Sequence, residues 1–208
     1  MEELEQFGIV PVDYAGLHSL FSNYRSPRNK IANLERAGKI IRLKRGMYVV
    51  SPKVSKQLLS VELIANHIYG PSYVSMESAL RYYGLIPEQV YTVRSMTPNR
   101  SKRFKNEIGE FEYITVNDAF YSIGIKLQKV ENKYTFQIAS PEKALCDMIT
   151  STKQLRIQSI KALQTYLKED LRFEIAALDT MDTDIIKECI HTGKKKQALK
   201  LLLKLLES

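Results

Sequence analysis

The run "SPRNKIANLERAG", Ser26 to Gly38, places two amides and a guanidinium at spacings that could read a nucleic-acid edge. Its start and stop signals are those of a helix, with Ser26 in the N-cap position, Pro27 at the first helical residue and Gly38 just past the end. At about 100° per residue, Asn29, Asn33 and Arg36 fall within about 60° of one another, on the side opposite Ile31 and Leu34. An Asn amide matches the N6/N7 edge of adenine and an Arg guanidinium the O6/N7 edge of guanine, each by paired hydrogen bonds in the major groove. Base contact is therefore expected from Asn29, Asn33 and Arg36, with Arg25, Ser26, Arg28 and Lys30 beside them where phosphates would lie. In isolation the plainer reading is a solvated helix face. The flanking elements decide between the two.

Those elements begin with "DYAGLHSLF", where Asp13 is an N-cap candidate and Leu17, Leu20 and Phe21 recur at helical spacing. After the second helix comes "AGKIIRLKRGMYVV", Ala37 to Val50. Ile41 and Leu43 alternate with Arg42 and Lys44, the pattern of a half-buried strand with a basic outer face, and Arg45-Gly46 makes a tight turn into a returning strand. Ile41, Leu43, Tyr48 and Val50 are expected in the core, and Arg42, Lys44 and Arg45 on phosphate. Helix, turn, helix and basic hairpin is the order of a winged helix-turn-helix, whose second helix enters the major groove while the wing rests on neighbouring backbone. The same module can instead serve protein contacts, in which case the basic surface docks an acidic partner without reading DNA.

The chain has 208 residues and a formal charge of +8. Between Arg25 and Arg45 there are eight basic residues against Glu35 alone, so nearly all the excess sits in this segment and points to an acidic partner. Composition is that of a globular protein, with no low-complexity tract or repeat. No apolar run reaches the roughly 18 residues of a membrane span, and the acidic start "MEELEQFG" has the wrong charge for a signal peptide. A cytoplasmic protein with no membrane partner is the expectation. Cys146 and Cys189 show neither metal-ligand spacing nor a disulfide framework.

A boundary is expected near residue 53, giving an N-terminal domain over 1–52 and a C-terminal domain over 53–208. In the latter, "LLSVELIANHIYG" and "SMESALRYYGL" read as helices, "QVYTVRSM", "FEYITV", "GIKLQKV" and "KYTFQI" as strands of an antiparallel sheet, and about 140–208 as helical. The fold class is α+β. "YGPSYVSMESALRYYGLIPEQV", "SMTPNRSKRF", "FEYITV" and "ASPEKALCDMI" resemble, in order, the successive blocks of the AbiEi-type antitoxin family, after an N-terminal segment like "GKIIRLKRGMYVV". The resemblance covers most of the chain; Thr152 to Ser208 shares only helical character. It implies a bacterial antitoxin and transcriptional autorepressor encoded beside a nucleotidyltransferase-like toxin, with the N-terminal domain on double-stranded operator repeats. The C-terminal domain would serve toxin neutralisation and help repression. The family's positive DNA-contacting surface matches Arg28, Lys30, Arg36, Arg42, Lys44 and Arg45, and inverted repeats would accommodate two copies on DNA.

Catalytic signals are weak. His18, His67 and His191 form no i, i+4 ligand pair, and no phosphate loop or nucleophile elbow occurs. Asp182 and Asp184 have a spacing used in metal-dependent nucleotidyl transfer, but no Gly-Ser segment precedes them and a helix cap is the simpler role. Glu107, Glu110 and Glu112 are expected around a solvated turn. No catalytic residue, metal or cofactor is assigned. The Leu-rich tail "KKKQALKLLLKLLE" either packs on the preceding helices or offers an apolar face to a partner.

Overall fold

The computed structural model describes residues 2–87 and 91–207. Its first elements are α1 (Glu2–Glu5), β1 (Val12–Asp13), α2 (Tyr14–Leu20), α3 (Pro27–Arg36), β2 (Ile40–Lys44), β3 (Met47–Val50) and α4 (Pro52–Ser55). Asp13 caps α2 by accepting from the Gly16 amide at 2.7 Å. Helix α3 closes in a Schellman arrangement, with the Lys39 amide donating to Leu34 O and the Gly38 amide to Glu35 O, both at 2.9 Å. Gly38 takes the left-handed conformation this requires, φ 63°. The β strands form a three-stranded antiparallel sheet in the order β1-β3-β2, and Gly46 at φ 76° turns β2 into β3.

Apolar spacing drives the packing. Leu17 and Phe21 of the α2 region, Ile31 and Leu34 of α3, and Ile40, Tyr48 and Val50 of the hairpin bury together, joined by Leu4, Val12 and Val54. The hairpin was expected to bury one face only, and here the structure differs. Register shifts between Arg42 and Lys44, a bulge at Leu43, and Leu43 and Val49 belong to the main core of the remaining chain, with Ile41 and Met47 packed against it. The hairpin is thus a layer between two cores. Ile41 and Leu43 lie on one side, Tyr48 and Val50 on the other, because β side chains alternate.

The rest of the chain comprises α5 (Val61–Ile68), β4 (Tyr73–Val74), α6 (Met76–Tyr82), β5 (Thr92–Thr97), β6 (Lys102–Lys105), β7 (Glu110–Thr115), α7 (Asp118–Tyr121), β8 (Ile125–Val130), β9 (Tyr134–Ala139), α8 (Pro141–Ser151), α9 (Ile160–Thr165), α10 (Thr183–Thr192) and α11 (Lys196–Leu206). The protein is α+β. Its six-stranded sheet, β6-β7-β5-β4-β9-β8, corrects the expected antiparallel arrangement: β5 and β7 pair in parallel over six residues, and β4 meets β9 in parallel at Val74–Ile138. Apolar alternation fixes which face is buried but not strand direction, and β7 inserts between β5 and the edge strand β6. The expected "QVYTVRSM" strand is observed from Thr92; Gln89 and Val90 lie outside the described residues. The Leu-rich tail packs on the core, with Ala198, Leu199 and Leu202 buried. Among the described residues, no helix is long and apolar enough to cross a membrane.

Candidate nucleic-acid interface

Burial of Ile31 and Leu34 fixes which side of α3 faces water, and Asn29, Asn33 and Arg36 are all exposed on it. The structure brings these three together on one face. Ser26 sits at the N-cap but its hydroxyl makes no cap bond, and Arg25 and Arg28 are exposed beside it. Lys30 is half-buried, its ammonium 4.5 Å from the centroid of the Tyr24 ring and 5.8 Å from that of Phe21. This contact holds the cation at the base of α3.

The hairpin residues are less uniform. Arg42 donates to Glu35 Oε2 at 2.7 Å and its guanidinium lies 5.6 Å from the Tyr48 ring, so it joins β2 to the last turn of α3. The hydrogen bond to Glu35 pushes the Arg42 pKa up. Lys44 turns inward: its ammonium donates to Ile68 O at 2.7 Å. Close by, Asn106 Nδ2 donates to Leu43 O at 3.0 Å. Arg45 is exposed at the turn. Three hairpin cations with the same apparent role in sequence therefore occupy three different environments.

Sequence reasoning missed the most buried charged cluster. Lys143 and Asp147 of α8 are fully buried and paired at 2.9 Å across one helical turn. Tyr73 and Ser75 donate to Asp147 Oδ2 at 3.1 and 2.6 Å, and Lys143 also donates to Phe120 O at 2.9 Å. Burial pushes the Asp147 carboxyl up, while Lys143, Ser75 and Tyr73 act to hold it down. A partial signal was present in "SPEKALCDMI": Lys143 and Asp147 stand at i, i+4 among Ala144, Leu145, Cys146, Met148 and Ile149, and the structure buries this helix from Glu142 to Ile149. Cys146 and Cys189, remote in sequence, meet between α8 and α10; the hydrogen bond between them and burial push the Cys146 thiol up.

The acidic residues weighed for metal chemistry have structural partners. Asp182 Oδ1 accepts from the Asp184 amide at 2.9 Å as the cap of α10, and Asp184 pairs with Lys187 at 2.8 Å. Among the described residues, no group of three or more His, Cys, Asp or Glu side chains could hold a metal ion. Glu110 and Glu112, expected around a solvated turn, stand on β7: Glu110 pairs with Lys105 at 2.7 Å, and Glu112 with Arg94 at 3.0 Å and Arg103 at 2.6 Å.

No protein-family model matches the chain, and no curated protein matches it in sequence. In structure it is similar to the Rv2827c protein of Mycobacterium tuberculosis, with a TM-score of 0.53 and 13% identity over 98% of this chain and 78% of that one. At this identity the likeness concerns the fold alone.

Proposed function

We propose that the chain is a DNA-binding antitoxin and autorepressor whose N-terminal residues form a winged helix-turn-helix on operator inverted repeats. The observation that carries the DNA reading is the exposed Asn29, Asn33 and Arg36 face of α3, backed by Ile31 and Leu34 in the core. Helix α3 reads base edges in the major groove, and Arg25, Ser26, Arg28 and Arg45 engage phosphates beside it. Arg42, exposed but held by Glu35, reaches phosphate by exchanging that bond. The antitoxin role, opposite a nucleotidyltransferase-like toxin, is supported by the ordered sequence blocks from Tyr69 to Ile149.

A second reading, a protein-interaction module whose basic surface docks an acidic partner without reading DNA, uses the same surface, and the engagement of Arg42 and Lys44 within the protein reduces the cations offered to either partner. A gel shift on the DNA upstream of the gene against random duplex separates the two. The proposal expects tighter, salt-sensitive binding to the upstream DNA. Equal binding to both duplexes would sink the operator assignment.

A further inference from the structure

A groove in two adjoining compartments crosses the C-terminal part of the molecule, far in sequence from α3. Each compartment is about 530 Å³, and their linings share Ile114, Ser151 and Lys153. The run from Glu112 to Asn117 forms one wall, about 20 Å of extended chain. The end of α8 and the residues after it, 150–153, form the other.

The groove's charge is one-sided. Among its lining residues are the cations Arg94, Lys102, Arg103, Lys153 and Lys194, against Glu112 as the one carboxylate. That carboxylate is occupied by Arg94 and Arg103, Arg94 also pairs with Glu77, and the Lys102 ammonium lies 4.7 Å from the centroid of the Tyr69 ring. Lys153 and Lys194 are the exposed lysines that face the groove. Between the cations run half-buried aliphatic side chains, Ile114 and Val116, and the hydroxyls of Ser101, Thr115 and Ser151. Such a lining complements an anionic ligand that also carries aliphatic groups.

Single-stranded nucleic acid fits this lining poorly. It needs aromatic faces on which bases stack. The groove's aromatics, Tyr113 and Phe120, are 1% and 2% exposed, and the Phe120 ring is covered by the Lys143 ammonium 3.2 Å from its centroid. Long cationic stems beside an aliphatic strip suit acidic and aliphatic side chains in alternation.

We infer that this groove docks an extended segment of a partner protein in which acidic residues alternate with aliphatic ones. The inference does not rest on the DNA reading, because none of the α3 or hairpin residues lines the groove.

The test is fluorescence anisotropy of the full-length chain with a labelled decapeptide of alternating glutamate and leucine. Saturable binding is expected, at least tenfold weaker for a decapeptide of alternating lysine and leucine. Charge reversal by Lys153→Glu and Lys194→Glu together should weaken the glutamate peptide at least tenfold, and the milder Lys153→Gln, Lys194→Gln variant by several-fold. Circular dichroism confirms that each variant is folded. Absence of saturable binding, or unchanged affinity in both variants, overturns the inference. So does a thymidine decamer that binds more tightly than the peptide and loses affinity in the same variants, since the groove would then take nucleic acid. Upstream-DNA gel shifts on the Gln variant keep the two proposals apart: retained operator binding with lost peptide binding supports the groove assignment alone.

Discussion

The Lys44 ammonium donates to the Ile68 carbonyl at 2.7 Å, tying the basic hairpin to the C-terminal end of α5. That carbonyl belongs to the last turn of a helix, where backbone acceptors lack intrahelical partners and a cation meets the negative end of the dipole. Lys44→Ala leaves it unmet and should destabilise the protein by about 1–3 kcal/mol. Arg45→Ala, at the exposed turn, should leave the melting temperature unchanged and, under the DNA proposal, lower the slope of log affinity against log salt for DNA by about 1. Thermal melts and salt titrations of the two variants measure this division. A Lys44→Ala protein that melts like the parent would refute the tie.

Base readout and phosphate contact should also separate on α3. Under the DNA proposal, Asn33→Ala lowers preference for the upstream sequence over random duplex by about 1–3 kcal/mol, whereas Arg28→Ala weakens both duplexes alike. Competition gel shifts at fixed salt give both numbers. If Asn33→Ala leaves the preference intact, Asn33 does not read a base.

The second helix of this unit was legible because its boundaries are written locally. Pro27, Gly38 and the Ile31/Leu34 spacing each depend on a few neighbours, and each is met in α3. The second buried face of the hairpin was not legible. Alternating Ile41, Leu43, Met47 and Val49 read identically whether they meet their own core or a neighbour's, and the Leu43 bulge leaves no composition cue. Strand direction was hidden for a related reason, and β4, with two residues, is too short to show any period. The groove was invisible because its walls, Glu112–Asn117 and 150–153, are brought together only by the sheet packing on α8.

The buried pair on α8 should behave as one unit. Asp147→Asn strands the Lys143 charge among apolar groups and should cost about 3–5 kcal/mol. Adding Lys143→Met should cost less than Lys143→Met does alone, so the double variant loses less than the two single losses together. Chemical denaturation of the four proteins measures the coupling. Strict additivity would show that the two charges do not support each other.

On β7, burial pushes the Glu112 carboxyl up, but Arg103 and Arg94 more than offset this and hold it below the ordinary range. A carboxylate with a depressed folded pKa contributes stability that is present above its unfolded value, about 4.3, and is lost as pH falls through the folded value. The advantage of the parent over Glu112→Gln should therefore be full near neutrality and shrink as pH drops below about 4. Melting curves of both proteins across acid pH check it, and a gap that widens in acid would contradict the assignment.

The hairpin's place between two cores bears on portability. Many DNA-reading modules can be cut out and grafted, because their surfaces are polar on every side but one. Here Ile41, Leu43, Met47 and Val49 would be laid bare by excision after residue 52, and Val54, which seals the N-terminal core, would be lost with them. Grafting this N-terminal unit onto another scaffold would therefore require a new apolar bed for the hairpin, and whatever shifts the bed shifts the α3 face that packs against the hairpin.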